Sequence, residues 1–542
     1  MKYDLGLYSG VVKEKIEQLN SERIIERIWE KDFTVWGNEP TEISNRLGWL
    51  DCSEVTKKSF AEIKSFVDDV RKEGFTDALL MGMGGSSLAP EVFRLTFEVK
   101  KDYLDLHVLD STNPEAISEF EKKLHPGKTL YIVSTKSGGT VETMSFMKYF
   151  FNTVSKKLGK EKVSKHFIAI TDPGSGLEEI AKKLKFRKIF LNDPDIGGRF
   201  SALSLFGIVP AALVGVDIEK LFDELLNMEN ESKLIAVEKN SSAVLGIILG
   251  SLANATVDKV TIITSPKIQH LGGWLEQLIA ESTGKNGKGI LPVDLEPSAS
   301  VNSYGKDRIF VYLKIEGDNE FDDRINKLKK AGFPTIEFSM NNIYQLGAEF
   351  FRWEFAISVA GHLIGIQPFD QPNVESAKII ARTMVKEFQE NGKLPELKNE
   401  MSQQSISSFL STTKSGQNYV AIQAYIKPDK KSWQRLQSLR LKILEKYKVA
   451  TTLGYGPRYL HSTGQLHKGD SGNGFFIQFI SEIQNDLPIP DEAGSNRSSI
   501  SFGTLIKAQA LGDRQVLIDN KRKVLTINLG KDIIESVSKI VV

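Results

Sequence analysis

A strand that stops in hydroxyls and glycines and turns at once into a helix leaves a chain few choices of fold. Leu130-Tyr131-Ile132-Val133 is an apolar run of strand length. It breaks off at Ser134-Thr135-Lys136-Ser137, two glycines follow, and from Thr140 a helical spacing begins with Val141, Met144, Met147 and Phe150. A strand feeding a helix so directly belongs to a parallel sheet with helices on its faces. The junction also outlines an anion site. The first N–H groups of a helix lack partners and carry the positive end of its dipole. Gly138 and Gly139 let the backbone come close to a ligand, while Ser134, Thr135, Ser137, Thr140 and Thr143 offer hydroxyls and Lys136 a charge. The spacing GxxxxGK[ST] is absent, so a single phosphate fits better than a nucleotide. An ordinary capped helix is the competing reading.

The same grammar recurs along the chain. Asp77 to Met83 reads as a strand that Gly84-Gly85-Ser86-Ser87 turns into a helix. Leu104 to Leu109, His166 to Thr171 and Lys188 to Leu191 complete a first parallel sheet, spanning residues 76–215. Ligands in such sheets sit beyond the carboxyl ends of the strands, where both glycine loops lie. Residues 1–75 read as a helical lead-in. A second open α/β unit is expected over 216–390, with strands at Lys259 to Thr264, Ile309 to Ile315 and Thr335 to Ser339 and long helices at Tyr344 to Gly365 and Val374 to Phe388. It echoes the first without a visible sequence repeat. From about Asn391 the chain turns polar (SQQSISS, TTKSGQN) and reads as a linker. A smaller α/β unit closes the span 391–542, with strands at Tyr419 to Tyr425, Val449 to Leu453, Gly474 to Phe479 and Val524 to Leu529.

A net charge of +1 over 542 residues argues against a nucleic-acid or membrane-surface partner. No apolar run approaches the ~20 residues of a membrane span, and the N-terminus, MKYDLGLYSGVVKEKIEQ, lacks the apolar core of a signal peptide. Cys52 is the single cysteine, so no internal disulfide and no thiolate metal cluster can form. A reducing cytoplasm is the expected compartment. The seven histidines make no HExxH, and His461 and His467 in HSTGQLH stand six apart, which is no helical ligand pair. No metal or other cofactor is expected.

Three further stretches could carry chemistry. In Asp195-Ile196-Gly197-Gly198-Arg199-Phe200-Ser201 a glycine pair aims a guanidinium, whose fixed fork suits an oxyanion or phosphate. In the helix that ends at Glu281-Ser282-Thr283-Gly284-Lys285, Glu281 follows Trp274 by seven residues and shares its apolar face. A carboxylate there is expensive unless paired or working, and it suits a general base. A buried pair with Lys285 or Lys288 is the alternative. In Phe369-Asp370-Gln371-Pro372-Asn373-Val374-Glu375-Ser376-Ala377-Lys378, a proline precedes a helix, and by periodicity alone Lys378 reads as a harmless snorkelling lysine.

These stretches resemble the phosphoglucose isomerase family. DIGGRFSALS is similar to its first signature and FDQPNVESAK to its second, and GMGGSS, STKSGGTVET and ESTGK stand in the family's order. The resemblance covers roughly residues 40 to 390. With ATTLGYGPRYLHSTGQLHKG in the tail, the whole chain looks most like the isomerase half of bacterial transaldolase–glucose-6-phosphate isomerase fusions. The resemblance implies two sugar-isomerase (SIS) domains of the open parallel α/β kind, beside the additional small C-terminal α/β unit. It also implies metal-free aldose–ketose isomerisation of glucose 6-phosphate, a sugar-phosphate substrate, and a homodimer. By the same carry-over, Thr135, Lys136, Ser137, Thr140 and Thr143 would hold the phosphate, and Gly85 and Ser86 would line the sugar. Glu281 would move the proton between C2 and C1, and Arg199 would stabilise the cis-enediolate. Gln371 and Lys378 would be second-signature residues, with Lys378 near the ring oxygen, which overrides the snorkelling reading.

Two positions depart from the family. Asn373 stands where the signature has a small residue, and GAEFF places Glu349 where the family has a ring-opening histidine from the neighbouring subunit. That leaves ring opening to Lys378 alone, to a protonated Glu349, or to an enzyme that takes open-chain sugar. A bifunctional phosphoglucose/phosphomannose isomerase and a non-catalytic sugar-phosphate-binding SIS regulator are the alternatives. A regulator needs the phosphate cradle but not Glu281, Arg199 and Lys378 together, and neither a basic arm nor a helix-turn-helix is evident.

Overall fold

The computed structural model describes residues 1–395, 403–540 and 542; of residues 375–378, 381, 387 and 403–405 it describes the backbone. The apolar runs become strands because they are buried on both faces, as a helix-covered parallel sheet requires. Thr129–Ser134 and Phe167–Thr171 are buried at every position. The first sheet is wholly parallel, with the spatial order Asp105–Leu109, Asp77–Met81, Thr129–Ser134, Phe167–Thr171, Lys188–Leu191. The order reverses between Asp77–Met81 and Thr129–Ser134. Connections leaving these two strands diverge to opposite faces and open a crevice between them. Both glycine-rich loops rise at this crevice, which is why two stretches far apart in sequence can serve one ligand.

The second sheet repeats the arrangement. Its parallel strands run Leu291–Val293, Lys259–Thr264, Arg308–Ile315, Thr335–Met340, again second-first-third-fourth in chain order. Lys2–Asp4, expected within a helical lead-in, instead forms an antiparallel edge strand against Thr335–Met340. Three residues with exposed side chains carry no period to read; the edge of a distant strand supplies their partner.

The third sheet, Ala450–Tyr455, Tyr419–Tyr425, Gly474–Ile480, Lys523–Asn528, is parallel in the same order. Part of the polar stretch read as a linker is helical: Gln403–Ser411 turns Ile406 and Leu410 into the core of this unit. The unit also holds the helix Phe502–Asp519. The unit packs on the second sheet. Leu291, Val293 and Ala280 share an apolar cluster with Tyr419, Ala421 and Leu466. A buried network seals the seam: Glu296 pairs with Arg308 and accepts from Thr451 N at 2.9 Å, and Arg440 donates to Thr451 O at 3.0 Å. Buried charges are tolerated here because each finds several partners. Among the described residues no helix is long and apolar enough to cross a membrane.

Candidate active site

Gly85 and Gly198 make the first contact of the site. A Cβ on Gly85 would stand 1.9 Å from the Gly198 carbonyl oxygen, so the GGSS and GGRF loops meet backbone to backbone. Gly84 adopts φ +53°, and Gly138 in the hydroxyl-rich loop φ +71°, a region where side chains are strained. A Cβ on Gly138 would also meet Leu177 N at 2.2 Å. Ser86 is half-buried beside this junction.

Loop contact presents Arg199. Its side chain is only 3% exposed, and its guanidinium donates to Ser282 Oγ at 2.8 Å, Gln371 Oε1 at 2.8 Å, Pro368 O at 2.5 Å and Asp370 O at 2.9 Å. Burial holds the guanidinium below its ordinary pKa, with Glu281 and Asp370 opposing. Glu281 Oε1 lies 3.5 Å from Arg199 Nη1, and Oε2 accepts from Gln277 Nε2 at 3.0 Å. The helix Leu271–Thr283 ends one residue before Gly284, as its sequence predicts, which leaves Glu281 in the last turn. Neither lysine of the alternative reading pairs with it: Lys285 bonds Asp370 Oδ1 and O at 2.6 Å each, and Lys288 bonds Ile364 O. Burial, with Arg199 nearby, lowers the Lys285 pKa to about 8.

The hydroxyl-rich loop 135–140 lies open between Ser134 and the helix Val141–Leu158, with Ser137 and Gly139 exposed. Thr135 Oγ1 and Thr140 Oγ1 are 3.0 Å apart, Ser137 Oγ accepts from Gly139 N, and the buried hydroxyls of Ser134 and Thr143 have no partner. Lys136 pairs with Asp172 and donates to Pro194 O at 2.7 Å. Burial keeps Asp172 above the usual carboxylate range even so.

Gln371 therefore joins Arg199, and Glu281 joins both through the guanidinium. Lys378 falls on the helix Val374–Asn391, but its side chain lies outside the described residues. Glu349 is placed elsewhere. It is buried in the helix Leu346–Ile364 and bonded to Arg352 Nε at 2.9 Å, and Arg352 in turn reaches Ser241 and Glu231. The partner, Arg352, stands one turn along the same helix. His362 is likewise engaged, with Val35 O and Glu22. Asn373, the other departure, is answered by the C-terminal unit: it exchanges two hydrogen bonds with Gln465, at 2.7 and 2.9 Å. The described residues hold one carboxylate–imidazole trio, Asp77, Asp105 and His107. It sits at the amino-terminal ends of the first sheet's strands, opposite the loops, and His107 already bonds Asp77 at 3.0 Å.

Sequence reasoning missed His461. Its Nε2 lies 3.0 Å from Glu142 Oε1, and its backbone oxygen accepts from Gln277 Nε2 at 2.8 Å. The signal is the polar, glycine-bearing run HSTGQLHKG, whose histidines are read above only against metal binding and which otherwise serves the resemblance of the tail.

Two open parallel α/β units thus hold glycine loops and an arginine–carboxylate pair between them. A model described as phosphoglucose isomerase matches residues 50–295, the span that holds both glycine loops, Arg199 and Glu281. A probable glucose-6-phosphate isomerase of Methanococcus maripaludis is 29% identical over 415 residues, 69% of this chain and 90% of the relative. The glucose-6-phosphate isomerase of Mycoplasmopsis pulmonis is 27% identical, covering 69% of this chain and 96% of the relative. Among solved structures, a glucose-6-phosphate isomerase from Chlamydia trachomatis superposes with a TM-score of 0.59 at 18% identity. It covers 74% of this chain and 89% of its own length. A hypothetical protein from Thermus thermophilus superposes with a TM-score of 0.60 at 22% identity, over 70% of this chain and 99% of its own. These two likenesses concern the fold. Together the matches say that the chain is similar to phosphoglucose isomerases, over residues 50–295 for the family model.

Proposed function

We propose that the chain is an aldose–ketose isomerase that interconverts glucose 6-phosphate and fructose 6-phosphate through a cis-enediolate, without a metal. The observation that carries this is the Glu281 carboxylate held 3.5 Å from the buried Arg199 guanidinium, beside the phosphate-loop crevice. Moving a proton between adjacent carbons needs one base over the C1–C2 edge and a cation where negative charge develops on oxygen. Glu281 removes the C2 proton of the aldose and returns it to C1, while Arg199 lies along the enediolate oxygens. Thr135, Ser137, Thr140, Thr143 and Lys136 take the phosphate, and binding at that distance orients the reacting carbons. Gly85 and Ser86 line the sugar, and Gln371 steadies the guanidinium at 2.8 Å. Lys378 acts near the ring oxygen.

The proposal extends to the division of the chain at 76–215, 216–390 and 391–542, to a homodimer in the cytoplasm, and to kinship with the isomerase half of transaldolase fusions. The experiment is a coupled assay with fructose 6-phosphate and then mannose 6-phosphate, each with and without EDTA. Turnover of the first substrate, unchanged by EDTA, is the expected result. Activity that chelation abolishes and a divalent metal restores overturns the metal-free mechanism. Equal turnover of mannose 6-phosphate makes the enzyme bifunctional, and binding of sugar phosphate without turnover makes the chain a sensor.

A further inference from the structure

We infer that Asp172 sets the affinity of the proposed phosphate site by holding Lys136, and that an arriving sugar phosphate draws this lysine away as the Asp172 carboxyl takes up a proton. The inference rests on the phosphate reading above and goes beyond it in naming what the phosphate competes with.

The strand Phe167–Thr171 lies beside Thr129–Ser134, and the turn that leaves it carries the hydroxyl-rich loop. Thr171 Oγ1 donates to Thr135 O at 2.7 Å and to Lys136 O at 3.2 Å, and Asp172 N donates to Lys136 O at 3.2 Å. The backbone of Thr135 and Lys136 is fixed by these bonds, with the Lys136 and Asp172 side chains turned to each other. Lys136 is the only cation of the loop 135–140, and its ammonium is paired with Asp172. Its other bond, to Pro194 O at 2.7 Å, ties it to the segment that leads into the arginine loop. The charge this loop offers an anion is therefore already neutralised.

Asp172 is a poorly supported partner. It is 8% exposed, and its Oδ1 is buried with no hydrogen-bond partner among the described residues. Lys136 is the one cation bonded to it among those residues. Arg46, from the turn Ser44–Arg46, faces the carboxylate but forks onto Glu42. Asp193, after the strand Lys188–Leu191, adds a second negative charge nearby. Glu178 of the following helix is turned to Lys182 and Gly174 N. Burial, with Lys136 opposing, holds the Asp172 carboxyl above the usual carboxylate range.

A phosphate held by Thr135, Ser137 and Thr140 at the start of the helix Val141–Leu158 comes within reach of Lys136. If Lys136 stays on Asp172, the phosphate meets a neutral pair with a carboxylate behind it. If Lys136 turns to the phosphate, Asp172 is left as a buried charge without a cation, which is costly. Protonation removes that cost. A proton from water goes onto a carboxyl oxygen, the group becomes neutral, and Lys136 serves the phosphate as a full charge. No other bond forms or breaks. Affinity is thus the outcome of a contest between two acceptors for one ammonium.

Asp172→Asn keeps an oxygen for Lys136 and removes the charge. It is expected to bind sorbitol 6-phosphate roughly tenfold tighter than wild type at about pH 8, measured by calorimetry. KM for fructose 6-phosphate should fall by a similar factor, with the effect on KM rather than kcat. In a Lys136→Ala background the same substitution should change affinity by less than about twofold, because the contest is gone. Calorimetry in two buffers of different ionisation enthalpy counts protons. Wild type and Glu281→Gln should take up a fraction of a proton that Asp172→Asn does not, while the phosphate's own titration near about 6 is common to all three. Affinity that is unchanged or weaker in Asp172→Asn makes the aspartate a support for Lys136 and overturns the inference. Wild-type uptake no greater than that of Asp172→Asn overturns it as well. Should that variant not fold, wild type and Glu281→Gln decide alone: uptake in both supports the inference, and its absence overturns it. Unchanged affinity in Lys136→Ala places the phosphate elsewhere and refutes the phosphate reading instead.

Discussion

Glu281→Gln is the sharpest test of the proposed base. The substitution keeps the side chain's shape and removes its capacity to accept the C2 proton. Loss of a general base costs roughly 10²–10⁴ in rate, which is about 3–5 kcal/mol of barrier. The surrounding structure says what should survive. Glu281 Oε2 accepts from Gln277 Nε2, and a carboxamide oxygen can take that bond over. The Glu281–Arg199 attraction at 3.5 Å is lost, a gross term of about 5 kcal/mol at an effective dielectric of about 20, most of it offset by the desolvation that pairing imposes. Arg199 keeps Ser282, Gln371 and two backbone carbonyls as acceptors, so the guanidinium stays in place. The expected outcome is a collapse of kcat, loss of C2-proton exchange with D₂O, and binding of a carbonyl-free analogue such as sorbitol 6-phosphate within about threefold of wild type. Isothermal calorimetry measures the last, and NMR the exchange. A variant that keeps more than about a tenth of wild-type kcat removes Glu281 from the base role. A variant that loses both turnover and analogue binding shows that the carboxylate was holding the site together instead.

Lys136→Ala should raise KM for fructose 6-phosphate about 10- to 150-fold with little change in kcat, since a charged phosphate contact contributes about 1.5–3 kcal/mol; an unchanged KM in steady-state assays means that the phosphate binds elsewhere. Gly85→Ala forces a Cβ to within 1.9 Å of the Gly198 oxygen and should lower Tm by several degrees, whereas Gly198→Ala, whose Cβ meets nothing within 4 Å, should melt within about a degree of wild type. Equal melting of the two in calorimetry refutes the loop contact. Lys285 titrates at about 8 in the folded chain against 10.5 when free. Between those values the unfolded chain holds more protons, so this group makes stability rise with pH from about 8 to about 10.5. That rise should be missing from urea titrations of Lys285→Met, and a variant that keeps it assigns the titration to another group.

Local order was legible in the sequence because its causes are local. Lys188–Leu191, Lys259–Thr264 and Tyr419–Tyr425 are strands at the boundaries their apolar runs predict. Gly284 stops its helix, and the glycine loops mark the turns. The short strand Lys2–Asp4 and the helix Gln403–Ser411 were not legible, since a distant sheet edge and a distant core stabilise them.

The sequence by itself determined which side chains could carry chemistry: hydroxyls and a lysine before a helix, an arginine behind two glycines, a carboxylate at a helix end. Only the tertiary structure decided which of them meet. Arg199 finds Glu281 because the Gly85–Gly198 contact locks two loops together. Glu349 is taken by Arg352 one turn along its own helix. Lys285 is turned to Asp370, and His461 is carried to Gly84 and Glu142 by a third unit anchored through Arg458. No periodicity encodes such encounters. They follow from how whole surfaces dock, and docking is set by the summed burial and pairing of residues far apart in the chain.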